Sequence, residues 1–282
     1  MLQSLFNRRP KPSSARTTAP LIHGVGPDYT LGTEDCERIY ALADIHGHFD
    51  LFLEAMREIQ RDNRQKGSSQ TIIVVAGDIV DRGPSSRQLL SYLQHLQSTV
   101  TGLIVLRGNH EQLMLDSISG DERAQMTWLK SGGRQTLQAY GVDPGGFADL
   151  GLEERTRVLR RAVGDKTYRW LKSLPLSYRS GDYFFCHAGV RPGIELSKQD
   201  PHDLMWIRRA FHESENDHGA IIVHGHSDMT DVQLRHNRIG IDAGAHRTGK
   251  LAILGLQGAK RWVMQATSGP DRSRMTVQEI SL

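Results

Sequence analysis

Apolar runs alternate with amphipathic segments in the first third of the chain. Continuous apolar residues predict buried strands at 38–43, 71–76 and 102–107. Leucines and other apolar side chains recur at helical spacing between these runs, which predicts one helix after Asp50 and a second just after Pro84. Three strands joined by two helices predict a parallel βαβαβ layer with right-handed crossovers.

The remainder of the chain divides into a helical middle and a β-rich end. Residues 112–179 are predicted to be mostly helical, with a break at Gly132 and Gly133 and an end at Pro175. Four short β-like runs follow: "DYFFCHAGV", "AIIVHGHSD", "RIGIDAGA" and "KLAILGLQ". Short strands separated by Gly-rich turns predict a second, partly antiparallel sheet. We therefore expect an α/β protein with two sheets.

The composition is consistent with a folded α/β protein, and the distribution of charge predicts a leader segment before it. A chain of 282 residues with 38% hydrophobic and 24% charged residues can bury a full core. The net charge of +3 is slight, and much of the positive excess lies in the stretch "NRRPKPSSARTTAP". We predict a flexible basic leader at 1–36 and a single domain at 37–282. The chain has two cysteines and no apolar run of membrane-spanning length, which predicts a cytoplasmic protein with no membrane partner.

Potential metal ligands recur where the predicted strands end. A single Asp or His at such a place is usually a helix cap or a turn residue. Recurrence at five strand ends favours one shared site, because the carboxyl ends of strands in α/β sheets are where such proteins build their sites. The residues are Asp44, His46, Asp78, Asn109, His110, His187, His224 and His226.

The type and number of these ligands indicate the chemistry. Carboxylate, imidazole and amide oxygen, without thiolates at zinc-finger spacing, favour a catalytic manganese, iron or zinc site. The set is too large for one ion and suits two. Two ions roughly 3.5–4 Å apart need a bridging carboxylate and serve in-line displacement at phosphorus.

Five motifs carry a family resemblance: "DIHGHFD", "GDIVDRG", "RGNHE", "HAG" and "HGH". In order and spacing they resemble the metal-dependent phosphoprotein phosphatases of the calcineurin-like metallophosphoesterase family, especially compact bacterial and phage members. The resemblance spans about residues 38–256. It implies a two-sheet β-sandwich core flanked by helices, with a helical insertion at about 112–179, and makes 37–282 the catalytic domain.

The resemblance also implies roles for individual residues. Asp44, His46 and His226 would hold the first ion, Asn109 and His187 the second, and Asp78 would bridge them. The phosphate would be bound by Arg82, Arg107 and Arg208, of which Arg208 has a second arginine, Arg209, beside it. His110 would be the general acid, oriented by Asp81, and His224 would lie behind the ligands. Ala43 stands where the family usually has Gly, and its methyl group would be strained if its φ were positive.

These roles imply a dimetal-dependent phosphomonoester hydrolase that uses a metal-bridging hydroxide for in-line attack on phosphorus. We expect a serine/threonine protein phosphatase with two divalent ions, manganese being favoured over iron or zinc, and a phosphorylated protein or peptide as partner. The alternative is a symmetrical dinucleoside tetraphosphate (Ap4A) hydrolase. Those enzymes usually lack an Asp at the position of Asp81 and have Asp in place of Glu111. The oligomeric state is left open.

Three other readings are less favoured. A cysteine-dependent phosphatase would need five residues between the nucleophile and its arginine, whereas four separate Cys186 from Arg191. A nuclease, with nucleic acid as partner, fits two-metal chemistry but lacks a surface strand rich in basic and aromatic residues. A non-catalytic scaffold would have lost a ligand or the acid, and all are present.

Overall fold

The computed structural model describes residues 31–267 and 278–280, so most of the predicted leader lies outside the described residues. The strands are β1 Glu37–Leu42, β2 Gln70–Val75, β3 Leu103–Val105, β4 Ser177–Ser180, β5 Tyr183–Cys186, β6 Ile221–His224, β7 Gln233–Arg235, β8 Arg238–Gly240, β9 Lys250–Gln257, β10 Lys260–Thr267 and β11 Gln278–Glu279. The helices are α1 Phe49–Gln65, α2 Ser86–Thr99, α3 Asn109–Ser119, α4 Glu122–Trp128, α5 Arg134–Ala139, α6 Pro144–Asp149, α7 Leu152–Ser173, α8 Pro201–Trp206, α9 Arg209–His212 and α10 Ala245–Thr248.

The strands form two sheets. The first has the order β11-β10-β9-β1-β2-β3, and the second has the order β4-β5-β6-β8-β7. β1, β2 and β3 are parallel, as are β5, β6 and β8, while the other pairs are antiparallel. The predicted α/β fold with two sheets and flanking helices is confirmed. The division into a leader and one catalytic domain stays a prediction.

Strand β1 shows why the apolar runs are continuous rather than alternating. Ile39 and Ala41 point into a core shared by the two sheets. Tyr40 and Leu42, on the opposite face, belong to the core that the first sheet forms with the helices. A strand buried on both faces must be apolar at successive positions, which is the pattern typical of central parallel strands.

The predictions need correction at four strands. The run "KLAILGLQ" is β9, which pairs antiparallel with β1 in the first sheet and does not belong to the second. β10 pairs with β9, and β7 with β8, and neither strand was predicted. The helical middle ends with α7 at Ser173, and β4 occupies its predicted last residues.

The middle of the chain begins with α3 and ends with α7. A π-helical turn at Leu129–Gly133 joins α4 to α5, and its Gly132 has φ of 115°.

Among the described residues, no helix combines the length and apolar character needed to cross a membrane. The cytoplasmic location stays a prediction.

Candidate metal centre and active site

Asp78, in the turn after β2, lies at the centre of the candidate site. Its carboxylate is buried and has three imidazoles around it. His187 Nε2 lies 3.3 Å from Oδ1, while His46 Nε2 and His110 Nε2 lie 3.7 and 3.8 Å from Oδ2. Burial alone would raise the pKa of Asp78, but His187, His110 and His46 outweigh it and hold the pKa well below its usual range. Asp78 is therefore an anion shared by several potential ligands.

A second group of ligands lies around His187, which follows β5. Its Nε2 is 2.8 Å from Asn109 Oδ1 and 3.2 Å from His226 Nδ1. The His226 amide N–H donates to Asp44 Oδ2 at 3.0 Å, which ties the β6 turn to the β1 turn. The structure thus groups the His226 ring with His187, whereas the resemblance placed it on the same ion as His46.

The histidine rings are held so that their free nitrogens face this centre. His46 Nδ1 bonds to the Val80 carbonyl at 2.8 Å, and His187 Nδ1 bonds to the Ala76 carbonyl at 2.9 Å. A carbonyl accepts only from an N–H, so Nδ1 carries a proton in both rings and Nε2 is the nitrogen that faces the centre. Hydrogen bonds of this kind orient metal-binding histidines in many proteins.

Two clusters of ligand atoms share Asp78. One comprises His46, Asp78 and His110, and the other comprises Asp78, His187 and His226, with ligand atoms within 4.8 Å of one another in each. His46 Nε2 and His226 Nε2 are buried and have no hydrogen-bond partner among the described residues. Buried polar atoms normally have partners. Unpaired imidazole nitrogens beside a shared carboxylate therefore fit a pair of divalent metal ions.

His110 and Asp81 form a buried couple beside the clusters. His110 Nδ1 donates to Asp81 Oδ2 at 2.7 Å. Asp81 Oδ1 accepts from the Trp128 indole at 3.0 Å and from the Thr136 hydroxyl at 2.7 Å. Burial alone would lower the pKa of His110, but Asp78 and Asp81 outweigh it and raise the pKa above its ordinary value. The couple can therefore hold a proton on His110, as a general acid requires.

Trp128 and Thr136 are site residues that sequence reasoning missed. They come from α4 and α5 in the helical middle, 47 and 55 residues after Asp81. No local pattern marks either residue, because a contact across such a separation depends on how the helices pack. The helical middle therefore supports the site directly.

Glu111 was also missed as a site residue. Its carboxylate is fully buried and accepts four backbone N–H groups, from Gly108, Asp78, Ile79 and Val80, at 2.7–3.1 Å. Glu111 is the third residue of α3, and its bond to Gly108 is half of a capping box. The spacing in "RGNHE" was a signal that could have identified this anchor of the Asp78 turn.

Arg82 lies at the site and is exposed. Its Nη2 is 3.3 Å from His110 Nε2, and its Nη1 is 3.3 Å from His246 Nδ1. His246, on α10, was not predicted as a site residue, and its ring packs edge-to-face against His46 with 5.4 Å between ring centroids.

Arg107, which the resemblance assigns to the phosphate, has a guanidinium that bonds to the helical middle in this structure. Its guanidinium donates to Gln112 Oε1 at 2.9 Å and to the carbonyls of Lys172 and Leu174, each at 3.2 Å. These partners lie on α3 and at the end of α7. Arg107 therefore fastens the helical middle to the end of β3, and its role in binding phosphate stays a prediction.

Arg208 stands exposed at the start of α9. Burial first, and then the charges of His187 and Arg208, lower the pKa of His226 to about 2. The neighbouring Arg209 pairs with Glu213 at 2.8 Å. Arg209 thus has an acidic partner on its own helix, and the role of Arg208 at the phosphate stays a prediction.

His224 and Ala43 support the site from behind. His224 is buried, its Nδ1 bonds to the Gly225 carbonyl at 3.0 Å, and its ring packs edge-to-face on Phe211. A side chain at residue 225 would collide with the Asp44 carboxylate and with Ala43, so the middle residue of "HGH" must be glycine. Ala43 itself is not among the residues with positive φ, and its methyl group therefore causes no backbone strain.

Cys186 is not a nucleophile in this structure. Its side chain is fully buried at the end of β5, within the core on the outer face of the second sheet. Burial raises the pKa of the thiol far above its ordinary value, which disfavours the reactive thiolate.

Comparison with known proteins agrees with this geometry. The family model described as calcineurin-like phosphoesterase matches residues 37–254, most of the chain. The chain belongs to the calcineurin-like phosphoesterase family. It is therefore a metal-dependent phosphatase of a dimetal-dependent family, and the clustered His and Asp groups could bind metal. The identity of the metal is a separate question.

The chain is similar to proteins named for two different activities. Serine/threonine-protein phosphatase 1 of Salmonella typhimurium is 26% identical over 78% of this chain and 92% of its own length. The symmetrical bis(5'-nucleosyl)-tetraphosphatase of Aromatoleum aromaticum is 28% identical over 55% of this chain, and the match covers 45% of that enzyme. The chain thus spans less than half of the tetraphosphatase.

Two solved structures share the fold. A putative diadenosine tetraphosphatase covers 86% of this chain and all of its own, with a TM-score of 0.57 and 17% identity. The cold-active protein-tyrosine phosphatase of a psychrophilic Shewanella covers 97% of this chain and 89% of its own, with a TM-score of 0.54 and 18% identity. At these identities the likeness shows the fold alone.

Proposed function

We propose that this protein is a two-metal phosphomonoester hydrolase that acts on phosphoserine and phosphothreonine in proteins. The observation that carries the proposal is the pairing of a shared buried carboxylate, Asp78, with the His110–Asp81 couple beside it. Two-metal phosphatases need a bridging anion for the ions and a proton donor for the leaving group.

The ligands divide between two ions in this proposal. Asp44, His46 and Asp78 would hold the first ion, and Asp78, Asn109, His187 and His226 the second. When bound, the ions would supply a water nucleophile of lowered pKa and neutralise charge on the phosphate. The donors are imidazole, carboxylate and amide oxygen, which suit manganese, iron or zinc, and we favour manganese.

The remaining residues would bind the phosphate and move one proton. Arg82 and Arg208 would donate hydrogen bonds to the phosphate oxygens. These bonds would stabilise the negative charge that is spread over the equatorial oxygens in the transition state. His110 would donate the proton on Nε2 to the departing alkoxide. Asp81, which accepts the Nδ1 proton, would hold the ring in place and favour its charged form.

Two observations favour a phosphoprotein substrate. Asp81, which the symmetrical tetraphosphatases usually lack, is buried here and fully engaged by His110, Trp128 and Thr136. In addition, the serine/threonine phosphatase relative is matched over nearly its whole length. The second candidate, dinucleoside tetraphosphate hydrolysis, is favoured by the identity to the tetraphosphatases, which is similar over the shorter region.

The test compares two substrates on one preparation. After chelation and addition of Mn²⁺, phosphate release from a phosphoserine peptide and cleavage of diadenosine tetraphosphate are measured at equal concentrations. We expect the peptide to have the larger kcat/KM. His110→Asn, assayed beside the wild type, shows whether each activity belongs to this site. Preferential cleavage of the dinucleotide, lost in His110→Asn, would make nucleotide turnover the function.

A further inference from the structure

Few contacts fix the position of the Arg82 guanidinium. Its side chain is exposed, and the backbone is fixed separately, by an N–H bond to the Gly132 carbonyl at 3.1 Å. Among the described residues, the hydrogen bonds of the guanidinium are to two imidazoles, His110 and His246. A flexible arginine that must meet a phosphate loses less entropy on binding if something already holds it.

The second imidazole is itself held in place. Arg247, the next residue, pairs with Asp228 at 2.7 Å, and the Thr248 hydroxyl donates to the Ala243 carbonyl at 2.8 Å. These contacts fix the single turn of α10. The His246 ring also packs edge-to-face on His46, with an angle of 84° between the ring planes. His246 is therefore the fixed partner, and Arg82 is the movable one.

The direction of the hydrogen bond follows from the groups involved. Arginine offers donors and no acceptor, so Nδ1 of His246 must accept the proton of Nη1. Nη2, on the other side of the guanidinium, lies 3.3 Å from His110 Nε2 and by the same rule donates to it, so this nitrogen can carry the proton for the leaving group only once Nη2 has turned to the phosphate. A phosphate bound between Arg82 and His110 would accept a hydrogen bond from Nη2, while Nη1 keeps its hydrogen bond to His246.

We propose that His246 is a positioning residue that holds Arg82 for the substrate phosphate through the Nδ1···Nη1 hydrogen bond. This inference rests on the proposed function in one respect, namely that Arg82 binds phosphate. His246 touches neither the leaving group nor the nucleophile in this scheme. Its loss therefore weakens phosphate binding more than it slows the chemical step.

The test uses two substitutions at one position. His246→Leu removes the acceptor and keeps much of the volume, whereas His246→Asn places an amide oxygen near the position of Nδ1. In the Mn²⁺-loaded protein, His246→Leu should raise KM and the Kd for inorganic phosphate about tenfold with little change in kcat. His246→Asn should restore both constants to within about threefold. His236→Asn, at an exposed histidine paired with Glu215, is the matched control and should change neither.

A double-mutant cycle with Arg82→Ala identifies the route of the effect. Arg82→Ala should weaken phosphate binding, and adding His246→Leu to it should cause no further loss. If His246→Leu weakens phosphate binding as much in Arg82→Ala as in the wild type, His246 does not act through Arg82 and the inference is overturned. Weaker Mn²⁺ binding by His246→Leu alone would also overturn it, because His246 would then act through His46. If Arg82→Ala binds phosphate as the wild type does, the proposed role of Arg82 fails as well. A weakened Arg82→Ala with an unaffected His246→Leu overturns this inference alone.

Discussion

Replacing Glu111 by Gln tests the anchor of the Asp78 turn. The carboxylate accepts two N–H groups at each oxygen: Gly108 and Asp78 at Oε2, and Ile79 and Val80 at Oε1. Glutamine keeps one oxygen and presents an NH₂ group where the other was, so two donors lose their acceptor. Hydrogen bonds to a charged group contribute about 1.5–3 kcal/mol each, which predicts a loss of at least about 3 kcal/mol.

Unfolding of the metal-free protein measures this loss without a contribution from bound ions. Because 1 kcal/mol shifts the midpoint by about 2–4 °C in a chain somewhat smaller than this one, Glu111→Gln should lower Tm by about 6 °C or more. Glu213→Gln, at an exposed carboxylate paired with Arg209, is the control and should shift it little. A Tm for Glu111→Gln within about 2 °C of the wild type would refute the reasoning, because it would mean that the two lost bonds contribute no net stability.

Four further changes test other parts of the site. Asp78→Asn removes the shared anion and should weaken binding of both ions; two ions at full occupancy by metal analysis would contradict the bridging role. His110→Asn should slow a phosphoserine peptide far more than p-nitrophenyl phosphate, whose leaving group needs no proton, and equal slowing would exclude His110 as the acid. The free energy of unfolding of Arg82→Gly should be about 1 kcal/mol larger than that of Arg82→Ala, because residue 82 has φ of 63° and glycine adopts this conformation without strain. Equal values for the two variants would mean that the backbone at residue 82 is not strained. Burial lowers the pKa of His224 to about 3, below the ordinary 6.5 of the unfolded chain, so stability is lost as the pH falls below 6.5. Between pH 7 and 5 His224 should contribute about 2 kcal/mol to the loss of stability, measured in urea titrations as the difference in pH dependence between the wild type and His224→Asn.

The sequence was most informative where local pattern determines structure. Strands β1 and β2 were predicted within one residue at each end, because a continuous apolar run identifies a strand buried on both faces. The convergence of ligands followed from where the strands end. Strand β9 was assigned to the wrong sheet, because its apolar pattern does not reveal that its partner is β1, more than 200 residues earlier.

The errors at the site have a different physical origin. Arg107 lies in a motif whose other members do face the centre, but a motif fixes a residue's position and not the direction of its side chain. The guanidinium of Arg107 bonds to the carbonyls that end α7, which the motif did not predict. Trp128 and Thr136 escaped notice for the complementary reason, since only the packing of the helical middle brings them to Asp81.

Backbone strain is concentrated at the candidate site. Seven described residues other than glycine have positive φ, and six of them are predicted site residues: Asp44, His46, Asp78, Asp81, Arg82 and His226. Residues in such conformations cost about 1–3 kcal/mol each and persist only where the surroundings enforce them. Glycine would relieve the strain at any of these positions, but it could supply neither a ligand nor a guanidinium.

Neighbouring groups enforce these conformations, and much of the support comes from the helical middle. Glu111 holds the amides of residues 78–80, and the Asp81 amide donates to the hydroxyls of Ser86 and Thr136, each at 3.0 Å. The Arg82 amide donates to the Gly132 carbonyl in the π-helical turn. Two of the strained residues thus depend on hydrogen bonds that they donate to α5 and the π-helical turn, neither of which supplies a proposed metal ligand. The helical middle is therefore part of what keeps the turn after β2 in its active geometry, whatever it contributes to substrate binding.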